Sequence, residues 1–115
     1  MQYLMMLYAD EAGFAKVPPD QLQGVMAAFN AFTEEVKSKG MYVGSNRLRP
    51  VSSATSVQVR DGKTLTTDGP FAETKEQLGG YYLLDCKDLD EAIEYAAKLP
   101  GAQWGTVEIR PIWTM

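Results

Sequence analysis

Apolar and polar positions alternate, cluster and recur along this chain in a way that predicts eight elements, six strands and two helices. "QYLMMLY", residues 2–8, has the period of a strand, with Tyr3, Met5 and Leu7 on one face and Leu4, Met6 and Tyr8 on the other. Both faces are apolar, which predicts a central strand covered on both sides. The run "DEAGFAKVPP" is a loop. From Pro19, a residue suited to a first helical turn, Leu22, Val25, Met26, Phe29, Phe32 and Val36 recur at helical spacing to about Lys39, and Gly40 stops the helix. "MYVGSNRLRP" reads as a second strand ended by Pro50. "TSVQVRDG" reads as a third, with Val57 and Val59 inward and Ser56, Gln58 and Arg60 facing the other way. Asp61-Gly62 is a hairpin signal, so "KTLTTD" folds back as a short strand. "GGYYLLDC" is another strand that is apolar on both faces. Asp88 then caps a second helix, with Glu91 completing a capping box and Leu89, Ala92, Ile93 and Ala96 as its buried stripe. Pro100-Gly101 ends this helix, and "WGTVEIRPI" is the last strand.

The order strand, helix, strand, hairpin, strand, helix, strand predicts an α+β chain. Two βαβ halves give a ferredoxin-like sandwich, with both helices on one face of an antiparallel sheet. The other face would then expose large apolar side chains from the strands at 2–8 and 79–86, a surface that calls for a partner. The simplest partner is a second copy in a two-fold homodimer. Gln58, Arg60, Glu108 and Arg110 would rim that interface or line a cavity within it.

Length and composition fit this picture. A chain of 115 residues is one domain of ordinary size, residues 1–115, long enough to bury a core without metal or disulfide staples. The formal charge of −4, with four arginines and seven lysines spread thinly, argues against nucleic acid as a partner. No apolar run approaches the roughly 18 residues of a membrane span, the N-terminus lacks the features of a secretory signal, and the expected location is cytoplasmic. The single cysteine, Cys86, sits in a strand-like apolar context and reads as a small buried hydrophobe. No histidine is present. That removes Ser-His and Cys-His nucleophiles, the usual zinc sites and a histidine-ligated haem, and no cofactor is expected. Carboxylates, lysines, tyrosines and one thiol remain for acid–base work.

The densest chemistry lies in "TTDGPFAETKEQLGGYYLLD", residues 66–85. Gly69 supplies backbone freedom, Pro70 fixes φ, and Asp68 is placed to accept from the N–H groups that follow. Two readings stand. In the plainer one, Asp68 caps a turn, Phe71 plugs the edge of the core, and Glu73 with Lys75 forms an exposed pair. In the sharper one the loop is a site wall, with Asp68 and Tyr8 as acid–base groups and Arg47, Gly69, Pro70, Phe71, Glu73, Lys75 and Tyr82 around a small-molecule ligand.

"DGPFAETKEQLGGYYLL" resembles the signature of the DGPF-domain proteins in the YCII-related family. "YLMMLYADE", "AFTEEVKSKGMYVGSNRL", "TSVQVRDGKTLTTDGPF" and "DLDEAIEYAAKLPGAQWGTVEIRPI" look like the same family, so the resemblance spans nearly the whole chain. It implies a ferredoxin-like subunit in a dimeric α+β barrel. Related folds carry out cofactor-free oxygenation and lactone isomerisation, which is analogy at the level of fold alone. The family's proximity to extracytoplasmic-function sigma factors implies an alternative role as a non-catalytic regulatory or interaction protein. In the YCII branch a histidine on the first helix, paired with an aspartate, is taken as the site. Here Phe29 and Asn30 occupy that neighbourhood, so the pair does not carry over and Asp68 is the polar candidate that remains.

Overall fold

Leu84 and Met5 are completely buried on the two neighbouring central strands of a four-stranded sheet. The computed structural model describes residues 1–114. Its strands are β1 (Gln2–Ala9), β2 (Tyr42–Arg47), β3 (Thr55–Arg60), β4 (Lys63–Asp68), β5 (Gln77–Asp85) and β6 (Thr106–Pro111). Its helices are α1 (Glu11–Phe14), α2 (Pro19–Ser38) and α3 (Leu89–Lys98), with single 3₁₀ turns at Val51–Ser53 and Pro100–Gln103. The main sheet has the order β2-β5-β1-β6, and every neighbouring pair is antiparallel. The protein is therefore α+β with a mostly antiparallel sheet.

β1 and β5 are central, as their two-sided apolar pattern requires. One face meets the helices: Tyr3, Met5, Tyr82 and Leu84 pack with Phe32 and Val36 of α2 and with Ala92, Tyr95 and Ala96 of α3. Phe32 lies edge-on to Tyr82, with centroids 5.2 Å apart and planes at 79°, an arrangement that aligns ring edge with ring face. Asp88 caps α3 by accepting from the Glu91 N–H at 2.9 Å, while the Glu91 carboxylate accepts from the Lys87 N–H at 3.0 Å. The two helices are also tied at their outer ends. Glu35 accepts from Lys98 at 3.0 Å and Lys39 at 3.3 Å, and these cations, Lys98 first, hold its carboxyl below the ordinary carboxylate value.

Three expectations need correction. Leu89 and Ile93 of α3 are exposed, and Tyr95 and Leu99 take the buried positions instead. The rotation follows from the larger Tyr95 ring, which fills the space against Phe32. Gln58 and Arg60 do not rim the main sheet, because β3 and β4 form a separate two-stranded sheet. Pro50 and the 3₁₀ turn after it lead the chain away from β2, while β5 returns to pair with both β2 and β1. Val57 and Val59 are accordingly not inward; each is 60% exposed. The Asp61-Gly62 turn itself is as expected, with φ of 52° and 76°, the left-handed pair that suits a two-residue hairpin. No helix among the described residues is long and apolar enough to cross a membrane.

Cys86 is buried at the end of β5, and desolvation raises its thiol from the ordinary 9.0 to about 11. Two outcomes follow. Truncating Leu84 to alanine is expected to cost about 2–5 kcal/mol in urea unfolding, because it removes a fully buried side chain from a closed core. The thiol retains its proton longer in the folded chain than in the unfolded one. Its contribution to stability is therefore full below about pH 9 and is lost as pH rises towards about 11. Thermal melts across that window should fall less steeply for Cys86→Ala than for the parent chain.

Candidate functional site

The sheet face opposite the helices has a definite composition set by register. β1 places Leu4, Met6 and Tyr8 on it. Across the β1–β5 pairing Leu4 meets Leu83 and Met6 meets Tyr81; across β1–β6, Leu4 meets Arg110, Met6 meets Glu108 and Tyr8 meets Thr106. Asn46 of β2 faces Tyr81 and donates to its phenol oxygen at 2.8 Å. The centre of this face is thus apolar, and its β6 side is polar.

At the end where β1 finishes and β6 begins, the face opens into a shallow groove of about 570 Å³ lined by Tyr8, Thr74, Glu76, Thr106, Val107 and Glu108. The segment after the hairpin forms one wall. Gln77 fastens this segment by donating to the Thr74 carbonyl at 2.7 Å and accepting from the Glu11 N–H at 2.9 Å, and the Thr74 hydroxyl donates to the Glu76 carbonyl. Glu11 in turn accepts from the Val51 N–H at 3.1 Å, so α1, the 3₁₀ turn and β5 are bound together behind the groove. The Glu76 carboxylate is oriented by the Thr106 hydroxyl, which donates at 2.8 Å. The Tyr8 hydroxyl makes one long contact, 4.0 Å to the Met6 sulfur, which leaves its capacity to donate and accept largely unused. Two carboxylates, a phenol and two threonine hydroxyls on one groove can bind hydrogen-bond donors and exchange a proton with them.

A family model described as the YCII-related domain matches residues 1–115. The chain belongs to the YCII-related family. A relative in Rhizobium meliloti (strain 1021), described as an uncharacterised protein, is 37% identical over 114 residues, an alignment that spans 97% of this chain and 92% of that one. The groove, Tyr8 and the signature segment of this YCII-related chain all fall within the matched region.

The residues singled out in the YCII-related sequence are dispersed. Tyr8 lines the groove. Arg47 ends β2 opposite Gly80, at the same end of the sheet, and is exposed. Asp68 ends β4 at the base of the hairpin and faces solvent, and its carboxylate accepts no hydrogen bond among the described residues. The turn beside it is closed by the backbone instead: the Gly69 N–H donates to the Ala54 carbonyl at 2.7 Å, and Ser56 donates to the Gly69 carbonyl at 2.9 Å. Gly69 adopts φ 104°, a conformation that glycine alone takes readily. Pro70 follows it on the surface.

Phe71 does not plug the core; it is 83% exposed. Glu73 and Lys75 are exposed and enter no ion pair among the described residues. Tyr82 is on the helix-covered face, the opposite one from Tyr8. Thr33 already donates to the Phe29 carbonyl at 2.9 Å, so the Tyr82 hydroxyl is the donor in its 2.7 Å bond to Thr33. Burial pushes this phenol above its ordinary 10.0.

Glu76, Thr106 and Glu108 had a weaker signal. Thr106, Glu108 and Arg110 alternate as the polar face of the last strand, but only the β1–β6 register puts that face beside Tyr8. Tyr82→Phe should therefore cost about 1 kcal/mol of stability in denaturant titration through the lost Thr33 bond. The same change should leave the affinity for any groove ligand unaltered.

Proposed function

We propose that this YCII-related chain is a small-molecule binding protein with acid–base capacity, acting as a homodimer of the dimeric α+β barrel kind. The observation that carries the reading is the groove at one end of an otherwise apolar open sheet face, where Tyr8, Glu76, Thr106 and Glu108 meet. The strand order β2-β5-β1-β6 with helices on one side is the arrangement expected of a ferredoxin-like subunit. The protein is only 19 Å deep along its shortest axis, whereas a further layer over the sheet would add about 10 Å. Leu4, Met6, Tyr81 and Leu83 are thus only half-buried by their own chain, and a second copy packed face to face would bury them fully and roof the groove.

The chemistry of the lining selects the ligand class. Carboxylates and hydroxyls favour a neutral or cationic molecule rich in hydrogen-bond donors over a phosphate or carboxylate. Glu76, oriented by Thr106, serves as proton acceptor and Tyr8 as donor. Asp68, exposed at the hairpin base, stands outside this pair. Exposed Phe71 favours a second reading, in which the 69–76 loop engages another protein and no turnover occurs.

A thermal-shift screen with donor-rich small molecules separates the readings. Hits are expected to stabilise the parent chain and to lose at least tenfold in affinity in Glu76→Gln and Tyr8→Phe, with Asp68→Ala unchanged. Hits that depend on Asp68 but not on Glu76 would return the site to the DGPF loop.

A further inference from the structure

The β3–β4 hairpin is an arm without a body. Both strands are exposed along nearly their whole length, and no other element packs substantially against them. Val57 and Val59 form one apolar face, and Leu65, opposite Gln58, projects from the other. A two-stranded ribbon with nothing against it is marginal in water. The whole chain carries the same signature. Its radius of gyration is 16.1 Å, against about 13 Å for a compact chain of this length. Its accessible surface is 8136 Å², against about 6,200 Å² for a compact monomer of this mass. The excess of about 1,900 Å² is far above the roughly 800 Å² per partner of an ordinary interface and lies in the range of obligate dimers.

A second unpartnered apolar feature lies at the other end of the sheet. The arm springs from the end where β1 stops, since Leu48 bonds Gly79 and Gln77 pairs with Ala9. Where β1 starts, the chain leaves β6 through Ile112, whose N–H donates to the Gln2 carbonyl, and exposes Trp113 at 89%. Met1, Pro111, Ile112, Trp113 and Thr114 line a groove of about 350 Å³ there.

We infer that the arm of each copy docks in the Met1–Trp113 groove of the other, with Val57 and Val59 against the indole. The geometry follows from symmetry. When two sheets pack face to face about a two-fold axis that crosses the strands, strand direction reverses. The arm end of one copy then lies over the tryptophan end of its partner, twice per dimer. The contact is self-complementary and closed, which is what an isologous dimer requires. It also removes the exposed ribbon and the exposed indole together. This inference rests on the proposed dimer.

The test uses the full chain with Trp104→Phe, which leaves Trp113 as the one tryptophan. Val57→Lys and Val59→Lys are introduced together, and mass by light scattering and Trp113 emission are read at the same concentration. Because both valines lie outside the core, far-UV circular dichroism should be unchanged. The expected result is a dimer with blue-shifted Trp113 emission that moves to the red in the lysine variant, with at least a tenfold rise in the dimer dissociation constant. Identical emission in both, whatever the mass, overturns arm docking. If the lysine variant stays dimeric while Leu83→Lys dissociates, with emission unchanged by the arm substitutions, the sheet-face dimer stands and the arm reading alone fails. A parent chain with the mass of a single 12.7 kDa copy overturns both.

Discussion

One-sided coverage of the sheet is the constraint on which the rest depends. β1 and β5 carry large apolar side chains on both faces, yet α2 and α3 lie against one face only, where they enclose Met5, Leu84, Val36 and Leu99. Burial on that side is enough to specify the fold. The opposite side, with Leu4, Met6, Tyr81 and Leu83, keeps apolar area in water at roughly 25 cal/mol per Å². A chain could lower that cost with polar alternation, as β6 does with Thr106, Glu108 and Arg110. β1 and β5 do not, so neighbouring strands of one face differ in how much apolar surface they leave in water.

The groove follows from the same arrangement. It forms where the apolar centre gives way to the polar face of β6, so Tyr8 lines it together with Glu76 and Glu108. Glu76 reaches the spot because the segment after the hairpin is pinned by Gln77, Glu11 and Thr106 rather than by core packing. Hydrogen bonds give that wall its position, and few buried apolar contacts support it. Such a wall can shift without disturbing the core.

Much of the fold was legible from periodicity because its signals are local. The Pro19 start of α2, the Asp88–Glu91 box of α3 and the left-handed Asp61-Gly62 turn each depend on a few adjacent residues. The side-chain orientation of Tyr95 against Ile93 was not legible, since α3 rotates to fit a ring that only the packed structure reveals. Nor was the detachment of β3 and β4: an alternating ribbon has the same pattern whether it joins a sheet or leaves it. The candidate site proposed at the groove overlaps the region singled out in the sequence but not its set of side chains. Tyr8 and the segment after Asp68 do bound the groove, but Tyr82 faces the helices, and Glu108 joins only through a pairing between strands nearly a hundred residues apart in sequence.

The loaded loop at 68–76 acquires a different meaning from this. Its turn residues secure backbone geometry: Gly69 takes the strained φ and bonds Ala54, which fixes where β4 ends and where the return to β5 begins. Phe71 and the hairpin valines are left in solvent by that geometry, while Glu76 is directed towards Thr106. One short segment therefore aims an apolar arm outward and a carboxylate inward. Asp68 and Glu76 are eight residues apart, so the base of the hairpin and the wall of the groove belong to one short stretch of backbone.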